Sequence, residues 1–70
     1  MRAWQEIDRL RRIPGEEPIF ILRAQDKLAA DVVRYWADRA EAEDVTSRKV
    51  REARDWATEM ERWPKHKLPD

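Results

Sequence analysis

Apolar residues recur along this chain at several different spacings, and each spacing predicts an element. Trp4, Ile7 and Leu10 stand three apart, with Arg2, Glu6, Asp8, Arg9, Arg11 and Arg12 on the other side. That pattern predicts a short amphipathic helix over 2–13. Pro14-Gly15 ends it, because the pair marks a turn. Ile19-Phe20-Ile21-Leu22 is a continuous apolar run after Pro18, which predicts an extended segment over 19–23. Such a run suits either a buried strand or extended chain laid across helices. A single strand cannot satisfy its own backbone groups, so a strand here would pair with the same segment of another subunit.

The spacing then changes to four. Leu28, Val32, Trp36 and Ala40 form a stripe, and Ala29, Val33 and Ala37 widen it. This predicts a core-facing helix over 27–42, with Asp26 placed to accept backbone N–H bonds at its start. Trp36, at the centre of the stripe, is expected in the core. Glu43-Asp44-Val45-Thr46 is a short connection. Thr46 is the expected N-cap of a third helix over 47–63, and Val45 with Val50 matches a hydrophobic staple. Val50, Ala53, Ala57 and Met60 make that helix's stripe, flanked by Trp56 and Trp63, and Pro64 stops it. The short link between the two long helices predicts an antiparallel hairpin. The expected fold is therefore mainly α. A short helix and one extended or β segment precede a helical hairpin, in a single domain over 1–64 with an irregular tail over 65–70.

Composition bears on how such a fold is stabilised. Seventy residues bury little surface, and small domains usually add disulfides, metal or oligomerisation. The chain has no cysteine and a lone histidine, His66, so the expectation is a homo-oligomer without a metal site. The charged fraction is 43%, yet Lys+Arg and Asp+Glu are each 15. Zero net charge argues against a duplex-DNA binder, which shows a basic excess. No apolar run reaches membrane-spanning length and no signal-peptide core opens the chain, so a soluble, cytoplasmic protein is expected. Four tryptophans and clear periodicity separate this chain from a charged disordered tail.

Three groupings are candidates for chemistry. The turn Arg23-Ala24-Gln25-Asp26, followed by Lys27, lies where a helix N-terminus attracts anions. Arg23 would supply a planar donor fork and Gln25 a reader of base or sugar edges. The competing reading is a helix cap with a salt bridge. Arg34, Tyr35, Trp36 and Arg39 form the second group, with Trp36 itself expected in the core. Tyr35 can stack on a purine at a subunit boundary with arginine beside it, or simply pack with its hydroxyl in water. Arg48, Lys49, Arg51 and Arg54, with Trp56 nearby, form the third; the favoured reading there is a solvated charged face. The candidate ligand-binding residues are Arg23, Gln25, Lys27, Arg34, Tyr35 and Arg39. No nucleophile system and no buried acid/base pair is legible, so no catalytic residue, cofactor or enzyme activity is expected.

Two stretches carry a resemblance. The first is the apolar run 19–22 with Arg23-Ala24-Gln25-Asp26, Leu28-Ala29, Val32-Val33 and Trp36-Ala37. The second is Lys49-Val50-Arg51-Glu52-Ala53, Trp56-Ala57, Met60 and Trp63-Pro64. Together they resemble small uncharacterised proteins of bacteriophages and prophages. The second is also similar to the C-terminal helix of phage anti-CBASS sponges, at Lys49, Glu52, Ala53, Trp56, Ala57 and Pro64. The segment Ile19–Asp26 has no counterpart there. The resemblance implies a non-enzymatic helical homo-oligomer that sequesters a cyclic oligonucleotide or related immune signal, counteracting host defence in the bacterial cytoplasm. The alternative is a protein-interaction module that inhibits a host defence or regulatory complex.

Overall fold

The structure is a computed structural model and describes residues 3–68. Arg2 of the expected first helix and positions 69–70 of the expected tail lie outside the described residues. The fold is mainly helical: α1 spans Ala3–Leu10, α2 Ala29–Ala42 and α3 Ser47–Glu61, and no strand forms among the described residues.

The hairpin is set by its connection. Asp44 adopts a left-handed backbone, φ 61°, which Asp tolerates better than most non-glycine residues. The Val45 N–H then donates to the Ala40 carbonyl at 3.0 Å, and the Asp44 N–H to the Glu41 carbonyl at 3.1 Å. This pair of bonds is a Schellman motif, which satisfies orphan carbonyls at the end of α2. Its usual hydrophobic contact is present too, because Val45 packs on the cluster of Ala37, Ala40 and Val50. Thr46 is the N-cap of α3, with ψ 140° and its carbonyl accepting the Val50 N–H at 3.1 Å. Its side chain makes no capping bond, so the staple between Val45 and Val50 and the backbone define this start.

Helices α2 and α3 run antiparallel. Ala40, late in α2, meets Val50, early in α3, whereas Arg34, early in α2, reaches Glu61 at the end of α3. The buried residues are Ala29, Ala37, Ala40, Val50 and Ala57, all small. Each alanine contributes much less than the ~1.5–3 kcal/mol of a fully buried Val, Leu, Ile or Phe.

The stripe expected to form the core is rotated away from it. Leu28, Val32 and Trp36 are about half exposed, with Trp36 at 52%, while Ala29, Ala37 and Ala40 from the same broad stripe are buried. The physical reason is that one partner helix covers only one edge of a wide apolar face. Ion pairs flank the seam: Arg54 of α3 reaches Asp38 at 3.0 Å and Glu41 at 3.3 Å, and Arg34 pairs with Glu61. The alanine edge of α2 faces α3, and the bulky edge lies outside.

Helix α1 buries no residue, and Trp4, Ile7 and Leu10 remain exposed. The segment 19–22 makes no backbone hydrogen bond among the described residues. The tail is irregular but tied: a parallel bridge joins Asp26 and Lys67. Lys67 N–H donates to the Gln25 carbonyl, and Lys27 N–H donates to the Lys67 carbonyl, both at 2.8 Å.

Candidate interaction surface

The turn before α2 is built from local bonds. The Asp26 carboxylate accepts the Leu28 N–H at 2.8 Å, while its own N–H donates to the Arg23 carbonyl at 2.9 Å and its carbonyl accepts the Ala29 N–H at 3.1 Å. Asp26 thus serves the helix start from two positions before the N-cap, Leu28, which makes no side-chain capping bond itself. The bridge to Lys67 holds the turn from the other side. Gln25 is half buried here, and Arg23 and Lys27 are exposed. The side chains of Arg23 and Lys27 have no ion-pair or hydrogen-bond partner among the described residues.

The second grouping divides along the helix. Successive residues on a helix point about 100° apart. Arg34 therefore faces α3, where its guanidinium donates to the Glu61 carboxylate. Tyr35 points outward and is 66% exposed. Arg39, four residues on, lies on the same face as Tyr35, is exposed and has no partner among the described residues. The structure therefore brings Tyr35 and Arg39 together with Leu28, Val32 and Trp36, and it commits Arg34 to the hairpin.

The third grouping also divides. Arg54 is held between Asp38 and Glu41, and the hydrogen bonds it donates, to Glu41 first and Asp38 second, raise its pKa above the ordinary guanidinium value. Arg48, Lys49 and Arg51 are exposed on the first two turns of α3. Trp56 faces an open cleft of about 270 Å³ shared with Gln5, Glu6, Arg9 and Glu52. Two carboxylates line this cleft, and Arg9 is 3.6 Å from Glu6, which makes it a poor anion site.

Among the described residues there is no cluster of three His, Cys, Asp or Glu side chains able to hold a metal, and no buried polar or charged residue. No helix is long and apolar enough to cross a membrane. What dominates is apolar surface: Ile19, Phe20 and Ile21 are exposed, Phe20 at 85%, and so is the outer face of α2. The four-residue spacing assigns Leu28, Val32 and Trp36 to a core; that they lie outside is not legible, because apolar spacing does not say which edge of a wide stripe meets the neighbouring helix.

Compared with family models, curated proteins and solved structures, the chain matches none.

Proposed function

We propose that this chain is a non-enzymatic protein-interaction module, and that its working state buries the outer face of α2 and the segment Ile19–Phe20–Ile21 against protein. One observation carries the reading. The accessible surface is 6383 Å², whereas a compact monomer of this mass exposes about 4,700 Å². The exposed residues include Trp4, Phe20, Tyr35 and Trp36, and aromatic residues are enriched where protein interfaces concentrate their binding energy. Following the resemblance to phage proteins, the partner class is a host defence or regulatory complex. The test is capture from bacterial lysate by the wild-type chain and by Phe20→Ala. A stoichiometric protein partner retained by the first and lost by the second supports the reading. Equal capture by both, or none, sinks it.

A second reading is sequestration of a nucleotide-like anion such as a cyclic oligonucleotide at a subunit boundary. It is favoured by the exposed ring of Tyr35 and by the side chains of Arg23, Lys27 and Arg39, which are without partners among the described residues. Calorimetry with a panel of cyclic di- and trinucleotides tests it. Absence of heat from a folded sample excludes this reading for the ligands tried.

A further inference from the structure

The outer face of α2 carries two parallel ridges. Asp31, Tyr35 and Arg39 follow one another at steps of four, and Leu28, Val32 and Trp36 form the neighbouring row. Both rows are exposed or half exposed, and no other element with a defined helix packs on them. Asp31 and Arg39 have no ion-pair partner among the described residues. The face is therefore bulky, aromatic and bordered by one free charge of each sign, at equal distances on either side of Tyr35.

That arrangement is self-complementary in one orientation. We infer that a second copy of this chain covers the face, with the two α2 helices antiparallel and the two-fold axis passing at Tyr35. The inference rests on the interaction-module reading and names the partner of one of its two surfaces. A two-fold axis at Tyr35 sets Asp31 of one protomer beside Arg39 of its partner, twice. It also lays the Leu28–Val32–Trp36 row of each protomer along the same row of the other. Each Trp36 then falls between Val32 and Trp36 of the opposite row. A parallel pairing does neither: it sets Asp31 against Asp31 and Arg39 against Arg39, and places the apolar rows on opposite flanks. Like charges facing each other disfavour it.

Two further observations fit a second copy. The chain has zero net charge, so copies do not repel one another at long range. The surface in excess of a compact monomer is roughly twice the ~800 Å² per partner of a standard interface. A dimer through α2 accounts for part of that excess and leaves Ile19–Phe20–Ile21 for another protein.

The experiment is sedimentation equilibrium of the full chain and three variants, with helicity checked by circular dichroism. The wild type is expected at twice the 8.5 kDa protomer mass. Arg39→Asp and Asp31→Arg each place two like-charge contacts in the interface and should weaken self-association by about tenfold or more. The double variant Asp31→Arg/Arg39→Asp restores both pairs with their signs exchanged and should dimerise again. The rescue is diagnostic because the exchanged charges oppose the α2 dipole at both ends, so helix stability alone predicts that the double variant is the worst of the three. A wild-type monomer at all concentrations overturns the inference, while capture of another protein through Phe20 continues to test the broader reading separately. A dimer indifferent to the reversals overturns the antiparallel register.

Discussion

The backbone of Lys67 is hydrogen-bonded to that of Gln25, the Lys67 N–H donating to the Gln25 carbonyl at 2.8 Å. With the return bond from Lys27 to the Lys67 carbonyl, this contact ties the end of the chain to the turn that starts α2. Neither bond involves a side chain, so residue types give no hint of them. Lys67→Pro removes the donor and should lower stability by about 0.5–1.5 kcal/mol, the net worth of one such bond. Hydrogen exchange at the Lys27 amide should quicken, while amides in the middle of α2 and α3 keep their protection. Unchanged exchange at Lys27 would show that the tie does not hold the turn.

Asp44 is the second place where backbone geometry decides the outcome. Its positive φ suits glycine and penalises β-branched residues. Asp44→Val should cost about 1–2 kcal/mol in urea unfolding, whereas Asp44→Gly should keep stability within about 0.5 kcal/mol of the wild type. Equal losses from both variants would contradict the left-handed turn.

The rotation of α2 predicts unequal effects for two apolar truncations. Val50 is buried and Trp36 is half exposed. Val50→Ala removes two methyl groups from the alanine-rich seam and should destabilise the hairpin by about 2 kcal/mol. Trp36→Ala is expected to change the stability of the isolated protomer by less than that, although a Trp removed from a true core costs about 3–5 kcal/mol. Because association itself stabilises the fold, both unfolding curves should be measured at the lowest workable protein concentration. A larger loss from Trp36→Ala at that concentration would return Trp36 to the core.

Arg54 bridges Asp38 and Glu41 across the hairpin and stays partly open to solvent. Arg54→Met retains most of the stem but loses the charge. It should lower the melting temperature at low salt, and the difference from wild type should shrink in about 1 M NaCl, where the Debye length falls to about 3 Å. Arg54→Lys should recover only part of the loss, since a single ammonium cannot present a planar fork to two carboxylates. A salt-independent difference would mean that the stem, rather than the charge, fixes the hairpin.

These residues show which parts of the molecule sequence patterns reveal. Thr46, Val45 and Val50 marked the start of α3 because capping and stapling depend on local spacing, and the hairpin followed from its short connection. The rotation of α2 was not legible. Its apolar face is wider than one helix can cover, and the ion pairs of Arg54 and Arg34 that flank the seam span 13 to 27 residues along the chain. The same gap affected the candidate site. Tyr35 and Arg39 share a face because they are four apart, which the sequence contains. That Arg34 is taken by Glu61 depends on the hairpin's register, which it does not. The apolar run 19–22 suits either a buried strand or extended chain laid across helices; no strand pairs with it among the described residues, and Ile19, Phe20 and Ile21 are exposed.

In the proposed pair, the outer face of α2 is covered by a second copy, with Tyr35 at the two-fold axis. The chain has no cysteine, so a single introduced thiol reports proximity without background. The most direct measurement compares Tyr35→Cys with Glu59→Cys, which lies exposed on α3, under mild oxidation at equal concentration. A symmetric α2 pair gives rapid formation of a covalent dimer from Tyr35→Cys and little from Glu59→Cys. Equal cross-linking at the two positions, or none at 35, would contradict it.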